Sequence, residues 1–196
     1  MIYDISQPLF ECEVFPGNPR PEKLSLVRIS RGANYNLTAI SLCVHNGTHI
    51  DAPYHFFEEK NGVDKIGLDK FIGPAYVVTH GGNVESADAK RILEDAKKLH
   101  KSAWKKILLK GDATVTEDAA RVFAEEQIDL VGNESQTVGP KEAPMKTHLI
   151  LLEKDVVLLE GVRLAHVPDG VYMLNCAPLN LTGTDGSPCR AILTDL

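Results

Sequence analysis

The stretch HNGTHIDAPYH, at residues 45–55, constrains this chain more than any other part of the sequence. Its four metal-binding side-chain types all stand at odd positions: His45, His49, Asp51 and His55. In an extended strand, residues an even number of positions apart point to one face. A helix would turn Asp51 about 240° away from His45, and Gly47 and Pro53 disfavour a helix. The pattern therefore predicts an extended segment with four converging polar groups.

The chemistry of these groups favours a metal site. Imidazole nitrogen and carboxylate oxygen suit Zn²⁺ and, less selectively, Mn²⁺ or Fe²⁺. Gly47 lies on the same predicted face, where it leaves space for an ion or for close approach of the backbone. The alternative is that the histidines only form hydrogen bonds, which is the commoner role of a single histidine. Four potential ligands on one face favour the metal.

Two further polar residues lie within apolar runs. Glu160 directly follows VVLL at 156–159, and an unpaired buried carboxylate is costly. The alternative is that Glu160 emerges from the protein at the end of a strand. His148 lies within MKTHLILL at 145–152. Considered alone, it is best interpreted as a hydrogen-bonded core histidine.

Short runs rich in Val, Ile and Leu, separated by turn residues, predict strands. These runs are IYDI (2–5), LSLVRIS (24–30), LTAISLCV (37–44), AYVVTH (75–80), KILLKG (106–111), DLVG (129–132), VVLLEG (156–161), VYMLNCAP (171–178) and AILT (191–194). Strands and helices alternate through 75–132, which indicates an α/β centre. The other strands indicate a second sheet or a barrel-like curl. We therefore predict a single α/β domain with a large β content, covering residues 1–196.

Three segments have helical patterns. Ser86 is a candidate N-cap for a helix over 86–100, which has one apolar stripe. Thr114 and Glu117 form a candidate capping box for the segment 116–127. After Pro144, a third segment places three apolar residues on one predicted face. These residues are Met145, Leu149 and Leu152.

Composition excludes several classes of protein. The net charge is −6 and the basic residues are dispersed, unlike the basic stripe of a nucleic-acid-binding protein. No apolar run approaches the roughly 18–20 residues that cross a membrane. The first residues lack the charge and apolar pattern of a secretory signal. We therefore expect a cytoplasmic protein with no nucleic-acid or membrane partner.

The cysteines do not suggest a metal site of their own. The chain has four, and none forms a CxxC pair, so a thiolate zinc site is not expected. No disulfide is expected in this setting. The four are best interpreted as small buried apolar residues. They are Cys12, Cys43, Cys176 and Cys189.

HNGTHIDAPYH resembles the HxGTHxDxPxH signature of the cyclase-like metal hydrolases, which include bacterial-type kynurenine formamidase (arylformamidase) and isatin hydrolase. The motif is long and specific, and the resemblance extends over essentially the whole chain. Further similar segments occur in the family's order. They are FPGNP (15–19), THGG (79–82), VGNES (131–135), TH (147–148), LLEGVRL (158–164) and DGSPCRAIL (185–193).

The resemblance implies roles for the metal-binding residues. His45, His49 and Asp51 would bind one metal, and Asp51 and Glu160 would bridge to a second metal, which His148 also holds. The metals implied are zinc, two ions per chain, with manganese as the alternative. His55 would be the acid/base residue. The family also implies a swivelling β/β/α fold and a homodimer or homotetramer.

The chain departs from the formamidase pattern at three positions. Phe15 stands where the formamidases typically carry a tryptophan that packs against substrate, Glu134 replaces an aspartate, and Thr147 replaces a serine. The metal-site positions match more fully than the pocket positions. The roles of Glu134, His80 and Arg190 stay open: His80 suits a turn, and Arg190 suits either a substrate carboxylate or a structural ion pair.

The resemblance implies hydrolysis of an amide C–N bond in a small molecule, with an aryl formamide such as N-formylkynurenine, an intermediate of tryptophan catabolism, as the leading substrate. One alternative is hydrolysis of a different cyclic amide or ester, as in isatin hydrolysis. Another is a metal-binding protein that has lost catalysis and serves regulation. His55 argues against this last alternative, because it continues the polar face although the metal does not need it.

Overall fold

The computed structural model describes residues 1–196, which form thirteen strands and three α-helices. The strands are β1 (Ile2–Asp4), β2 (Glu22–Val27), β3 (Leu37–Ser41), β4 (His49–Asp51), β5 (Ile72–Thr79), β6 (Asn83–Val84), β7 (Lys106–Lys110), β8 (Thr114–Val115), β9 (Leu130–Asn133), β10 (Val157–Glu160), β11 (Gly170–Asn175), β12 (Gly186–Pro188) and β13 (Ile192–Thr194). The helices are α1 (Ser86–Leu99), α2 (Glu117–Glu125) and α3 (Met145–Glu153).

Nine strands form one mixed sheet in the order β1-β13-β11-β5-β7-β9-β10-β4-β12. The central strands β5, β7, β9 and β10 are parallel, and one helix lies in the chain between each successive pair. The outer pairings are antiparallel. The sheet curls into a half-barrel. The prediction of an α/β fold with a large β content, of the cyclase-like type, is confirmed.

Two apolar cores lie on the two faces of this sheet. Ile107 and Leu109 of β7 pack with the helices, whereas Leu108 packs into the curl with residues of the antiparallel strands. Successive side chains of a strand alternate between faces, so both faces of a central strand must be apolar when both are covered. This explains the continuous apolar runs of β7, β9 and β10.

The helices form where predicted, but their details differ. The N-cap of α1 is Glu85, whose backbone N–H donates to Asp88 Oδ2 at 3.2 Å. The N-cap of α2 is Thr116, whose Oγ1 accepts from the backbone of Ala119. The predicted caps Ser86 and Thr114 are therefore wrong, each by one or two residues. Thr114 belongs instead to the short strand β8, which pairs with β6.

The predicted inner face of α3 is also wrong. Met145 is 60% exposed. The buried residues are two consecutive pairs, one turn apart: Thr147, His148, Leu151 and Leu152. Positions separated by three or four residues share a helix face, so burying Leu151 and Leu152 turns His148 inward as well.

The predicted strands at 24–30 and 37–44 are shorter in the structure. They form a two-stranded antiparallel hairpin, β2 with β3, that is hydrogen-bonded to no other strand. Its large apolar side chains are exposed: Leu24 by 63%, Leu26 by 54% and Ile40 by 57%. We refer to residues 22–41 as the exposed hairpin.

The four cysteines are free, and Cys12 and Cys176 are buried. None of the helices has both the length and the apolar character needed to span a membrane.

Candidate metal centre

The motif at residues 45–55 is extended only over β4, which holds His49 and Asp51. His45 precedes this strand in a turn, and His55 follows it in a 3₁₀ turn over Pro53–His55. The prediction of one continuous strand is therefore wrong. The side chains nevertheless converge, because the turns on either side of β4 bring both outer histidines back over the strand.

Gly47 allows the first of these turns. Its φ of +67° lies in the left-handed region, which costs a residue with a side chain roughly 1–2 kcal/mol. An added Cβ would also lie 3.3 Å from Cys12 Cβ. Of the two roles expected for Gly47, the structure supports close approach rather than space for an ion.

The ligand candidates meet between β4, β10 and α3. His49 lies directly opposite Glu160 in the antiparallel β4–β10 pair, with His49 Nε2 at 3.5 Å from Glu160 Oε2. His148, on α3, places Nε2 at 3.1 Å from Glu160 Oε1 and 3.6 Å from Asp51 Oδ2. Asp51 Oδ1 faces His45 Nδ1 at 2.8 Å. Each of the five predicted ligand residues thus has a ligand atom within 3.5 Å of a ligand atom of another.

The second ring nitrogen of each histidine is held by an oxygen that only accepts hydrogen bonds. His49 Nδ1 donates to the carbonyl of Gly47 at 3.0 Å. His148 Nδ1 donates to the carbonyl of Pro144 at 2.9 Å. His45 Nε2 faces Asp185 Oδ2 at 2.7 Å. Such outer partners fix the tautomer of metal-binding histidines.

With these tautomers, the inner nitrogen of each neutral histidine carries a lone pair that points at a carboxylate oxygen. Lone pairs and carboxylates repel one another unless a proton or a metal cation lies between them. Burial, the largest single influence, lowers the pKa of His45, but Asp51 and Asp185 outweigh it and raise that pKa to about 11. The carboxylates of the cluster therefore strongly stabilise positive charge placed between them and the histidines.

The neighbouring groups show the same effect. Burial lowers the pKa of His49 and of His148, but the buried carboxylates outweigh it and raise each pKa to about 9. Burial raises the pKa of Asp51, yet His45 and His49 hold that pKa well below its usual range. The pKa of Glu160 is also lowered, because its histidine partners outweigh burial and the repulsion of Asp51. Both carboxylates therefore stay ionised.

Asp185 completes the centre, and the sequence analysis did not identify it. Its Oδ2 contacts His45 Nε2 at 2.7 Å and His55 Nδ1 at 2.9 Å. These two histidines hold the pKa of Asp185 well below its usual range. Asp185 directly precedes β12, and its carbonyl accepts from the backbone of Ala52. The pairing of β12 with β4 thus brings it to the motif from 130 residues away.

His55 is the least enclosed histidine of the group. Its ring lies 4.2 Å from that of His45, centroid to centroid, and its side chain is 30% exposed. Its Nδ1 contacts Asp185, and its Nε2 makes no hydrogen bond within the chain. Its ligand atom also lies within 4.8 Å of those of His45 and Asp51, so the geometry suits either a proton-transfer group or a ligand.

A cavity of about 250 Å³ opens onto the cluster. Phe15 lines it together with Phe56 and Asn18. The predicted substrate-contact residue Phe15 therefore lies beside the candidate ligands. Phe15 is near the N-terminal end of the sequence, whereas Asp185 is near its C-terminal end. We refer to this space as the metal cavity.

Other candidate residues lie elsewhere. Glu134 accepts hydrogen bonds from the backbone of Gly111 and Leu164, which makes it a loop support. Thr147 donates to a backbone carbonyl. Arg190 pairs with Asp4 on the surface, the structural alternative foreseen for it. His80, whose role was also left open, does not line the metal cavity.

Comparison with known proteins gives consistent results. A kynurenine formamidase from Bacillus thuringiensis is 32% identical, over 97% of this chain and 95% of that protein. A protein from Bacillus stearothermophilus described as a predicted metal-dependent hydrolase has 28% identity and a TM-score of 0.81, covering 98% of this chain and 97% of that one. An isatin hydrolase bound to the product analogue thioisatinate shares the fold, with 18% identity and a TM-score of 0.82 over 100% of this chain and 92% of that one.

The fold and the centre together define a hydrolase of the metal-dependent class. The sequence model of the Cyclase family matches residues 3–140. This chain belongs to that family, as its resemblance to the HxGTHxDxPxH signature predicted.

Proposed function

We propose that this hydrolase cleaves the amide C–N bond of an aryl formamide, with N-formylkynurenine as the leading substrate. The observation that carries the proposal is the convergence of three histidine lone pairs on two buried carboxylates. Positive charge is needed there, from protons or from a metal cation, and two similar solved structures are described as metal-dependent hydrolases, which supports the metal. The kynurenine formamidases of the family are similar over nearly the whole chain, which supports the choice of substrate.

The donor set suits two zinc ions per chain, with manganese as the alternative. His45 and His49 with Asp51 would hold one ion, and His148 with Glu160 and Asp51 would hold the other. A metal pair held there would supply a Lewis acid for a carbonyl and a water molecule activated at neutral pH. The two buried carboxylates would balance the charge of the ions in the core.

His55 is proposed as the group that moves the proton. Asp185 accepts from His55 Nδ1, so a neutral His55 carries its lone pair on Nε2. His55 can then take a proton from the attacking water and deliver it to the leaving amine. Positioned acid/base groups contribute typically 10²–10⁴-fold in rate. Phe15 offers an aromatic face against which an aryl substrate can stack.

Metal analysis combined with an activity screen tests this function. Purified protein is analysed for zinc and manganese and is assayed on N-formylkynurenine, formanilide and isatin before and after chelation. We expect near-stoichiometric metal and turnover of the formamides that disappears with the metal. Turnover of isatin alone would instead support the cyclic-amide alternative, which the shared fold with isatin hydrolase favours.

The His55→Ala variant separates its two possible roles. We expect it to keep its metal and to lose about 10²–10⁴-fold in kcat, because the proton-transfer group is gone. A variant that loses metal in step with activity would show that His55 is a ligand. A metal-loaded wild type that hydrolyses none of the three compounds would support the regulatory alternative.

We also propose that residues 1–196 fold as one domain and that the protein is a cytoplasmic homodimer or homotetramer. The exposed hairpin supports self-association, since a two-stranded ribbon alone is marginally stable in water. Apolar side chains on such a ribbon favour burial against a second copy. Sedimentation equilibrium on the purified protein tests the assembly.

A further inference from the structure

A tight turn over Phe15–Asn18 forms part of the wall of the metal cavity. Pro16 and Gly17 stand at its centre, and Gly17 has a φ of +98°, which is the pattern of a type II turn. The backbone N–H of Asn18 donates to the carbonyl of Phe15 at 3.0 Å and closes the turn. Both end residues, Phe15 and Asn18, line the metal cavity. We refer to residues 15–18 as the wall turn.

The wall turn lies in a segment with few ties to the rest of the protein. Residues 14–21 belong to no helix or strand. A Cβ added at Gly17 would meet no atom within 4 Å, so the tip of the turn is unpacked. One hydrogen bond joins residues 14–21 to other parts of the chain: Asn46 Nδ2 donates to the carbonyl of Pro19 at 3.1 Å. The position of the wall turn therefore depends strongly on this contact.

The side chain of Asn46 is held in the orientation that this contact needs. Asn46 is fully buried, and its Oδ1 accepts from the backbone N–H of Cys43 at 2.9 Å. An asparagine amide has its acceptor on one atom and its donors on the other. With Oδ1 bonded to Cys43, the donor Nδ2 faces Pro19. A buried donor without a partner is costly, so burial of Asn46 favours the contact with the segment.

Asn46 also belongs to the motif that carries the candidate ligands. It lies between His45 and Gly47, and the carbonyl of Gly47 holds His49 Nδ1. Its position is unspecified in the HxGTHxDxPxH signature, so the family resemblance assigns it no role. The exposed hairpin lies in the chain between Pro19 and Asn46. The bond between these two residues therefore closes the base of the hairpin and ties the wall turn to the motif.

Resting on the proposed function, we infer that Asn46 is a positioning residue for the substrate. Its side-chain hydrogen bonds go to Cys43 and Pro19, and none goes to a candidate ligand. It holds the wall turn against the motif, so that Phe15 meets an aryl substrate beside the candidate ligands. A substrate that binds only the ordered turn loses apparent affinity as the ordered fraction falls. The role of Asn46 therefore appears in KM rather than in kcat.

Asn46→Ala removes the contact, and NMR-detected hydrogen exchange and steady-state kinetics measure the result. We expect the backbone N–H of Asn18 to exchange about 2- to 13-fold faster, the range that corresponds to one net hydrogen bond. KM for N-formylkynurenine should rise by a similar factor, while kcat and metal content stay nearly constant. Asn36→Ala is the control, because Asn36 Oδ1 accepts from the backbone of Ile29 within the exposed hairpin. It should change none of these quantities.

Gly17→Ala tests the same turn without altering the motif. Placing a side chain in the left-handed region should lower the population of the ordered turn by about 5- to 30-fold. Exchange at Asn18 should therefore be faster and KM higher, as in Asn46→Ala. Gly32→Ala is the matched control, since Gly32 has a φ of +88° and similarly open space but lies in the exposed hairpin. It should leave exchange at Asn18 and KM unchanged.

The exchange measurement separates this inference from the proposed function, because it needs no turnover. Unchanged exchange at Asn18 in Asn46→Ala overturns the inference, whether or not formamides are hydrolysed. Faster exchange with an unchanged KM also overturns it, because the wall turn would then not meet the substrate. Loss of metal in step with activity would instead make Asn46 a support of the metal centre. If the wild type hydrolyses no formamide, the proposed function fails, and faster exchange in both variants still supports Asn46 as the residue that holds the wall turn.

Discussion

The metal centre buries ionisable side chains, whereas the exposed hairpin leaves large apolar side chains in solvent. Each region thus departs from the usual distribution of side chains in a globular protein. At the centre, four charged or ionisable groups are at least 96% buried: His49, Asp51, His148 and Glu160. On the hairpin, Leu24, Leu26 and Ile40 are more than half exposed. Buried charge and exposed apolar surface both cost free energy unless a partner compensates.

The difference between the two regions lies in how firmly each is supported. Every histidine of the centre is held at its outer nitrogen, and β4 and β10, which carry the candidate ligands His49, Asp51 and Glu160, lie within a nine-stranded sheet. The hairpin has only its own two strands. The candidate metal centre thus lies where the backbone is held by many neighbouring strands. The exposed hairpin lies where its apolar side chains are accessible to another surface.

The largest effect is expected from Asp51→Asn, which removes a negative charge without changing shape. The ring nitrogens of His45, His49 and His148 would then lose a carboxylate that faces all three. We expect metal content to fall below stoichiometry and activity to fall by more than about 100-fold, since even groups outside the ligand shell cost 10–100-fold. Metal analysis and kcat measure this.

Asp69→Asn is the control for that change, because Asp69 is exposed and outside the centre. It should leave both quantities unchanged. A fully metal-loaded and active Asp51→Asn protein would show that the buried charge at the centre has another purpose.

A smaller effect is expected from Asp185→Asn. Asp185 is a positioning residue, which fixes the rings of His45 and His55 through one oxygen. We expect kcat to fall by about 10–100-fold while KM stays nearly constant and metal content is kept, with weakened affinity. Asp185→Glu, which restores the charge, should recover part of the activity. An unaltered kcat in Asp185→Asn would mean that the rings are held without it.

Gly161→Ala tests how tightly the backbone is packed beside Glu160. Gly161 has a φ of +69°, and an added Cβ would lie 2.5 Å from the carbonyl oxygen of Gly47. Gly183 has a similar φ of +72° but open space around it. Gly183→Ala should therefore lower the free energy of unfolding by only roughly 1–2 kcal/mol, the cost of placing a residue with a side chain in the left-handed region.

Gly161→Ala should lose a further 1–3 kcal/mol or so from overpacking. Urea unfolding of both variants measures the two free energies of unfolding. Equal losses of free energy of unfolding in the two variants would show that the turn at Gly47 shifts to accommodate the added methyl group. The backbone beside Glu160 would then not be tightly packed.

The smallest effect on stability is expected from the double change Leu24→Ser/Leu26→Ser on the exposed hairpin. Exposed substitutions usually alter the free energy of unfolding of a monomer by less than about 0.5 kcal/mol each. If the hairpin covers a second copy, the same change should weaken self-association in sedimentation equilibrium. Leu99→Ser, at an exposed leucine at the end of α1, should not. Unchanged assembly in the double variant would assign the hairpin another role.

Some parts of the centre were predictable from local sequence. His49 and Asp51 share a face because they are two residues apart in a strand. Glu160 was conspicuous because a carboxylate follows an apolar run that proves to be a central strand. The alternation argument was wrong for His45 and His55, because turns bring these two side chains into place. The spacing of residues alone does not show where a strand ends and a turn begins.

Other parts depend on contacts that local patterns do not contain. His148 was recognisable only through the family resemblance. The apolar face predicted for α3 differs from the face that the structure buries, so the pattern did not place His148 inside the protein. Asp185 stands in a DGS segment whose composition is typical of a turn. Its contact with the motif arises from the pairing of β12 with β4, and strand pairing between distant segments leaves no local signal.

The placement of His49 opposite Glu160 makes the centre a check on correct folding. A slip of one residue between β4 and β10 would turn one of the two side chains to the opposite face of the sheet. Such a chain could keep most of its backbone hydrogen bonds and still lack a complete set of ligands. With the ligands proposed above, a bound ion would favour the correctly paired chain by mass action, so that metal binding would also select the correct strand register.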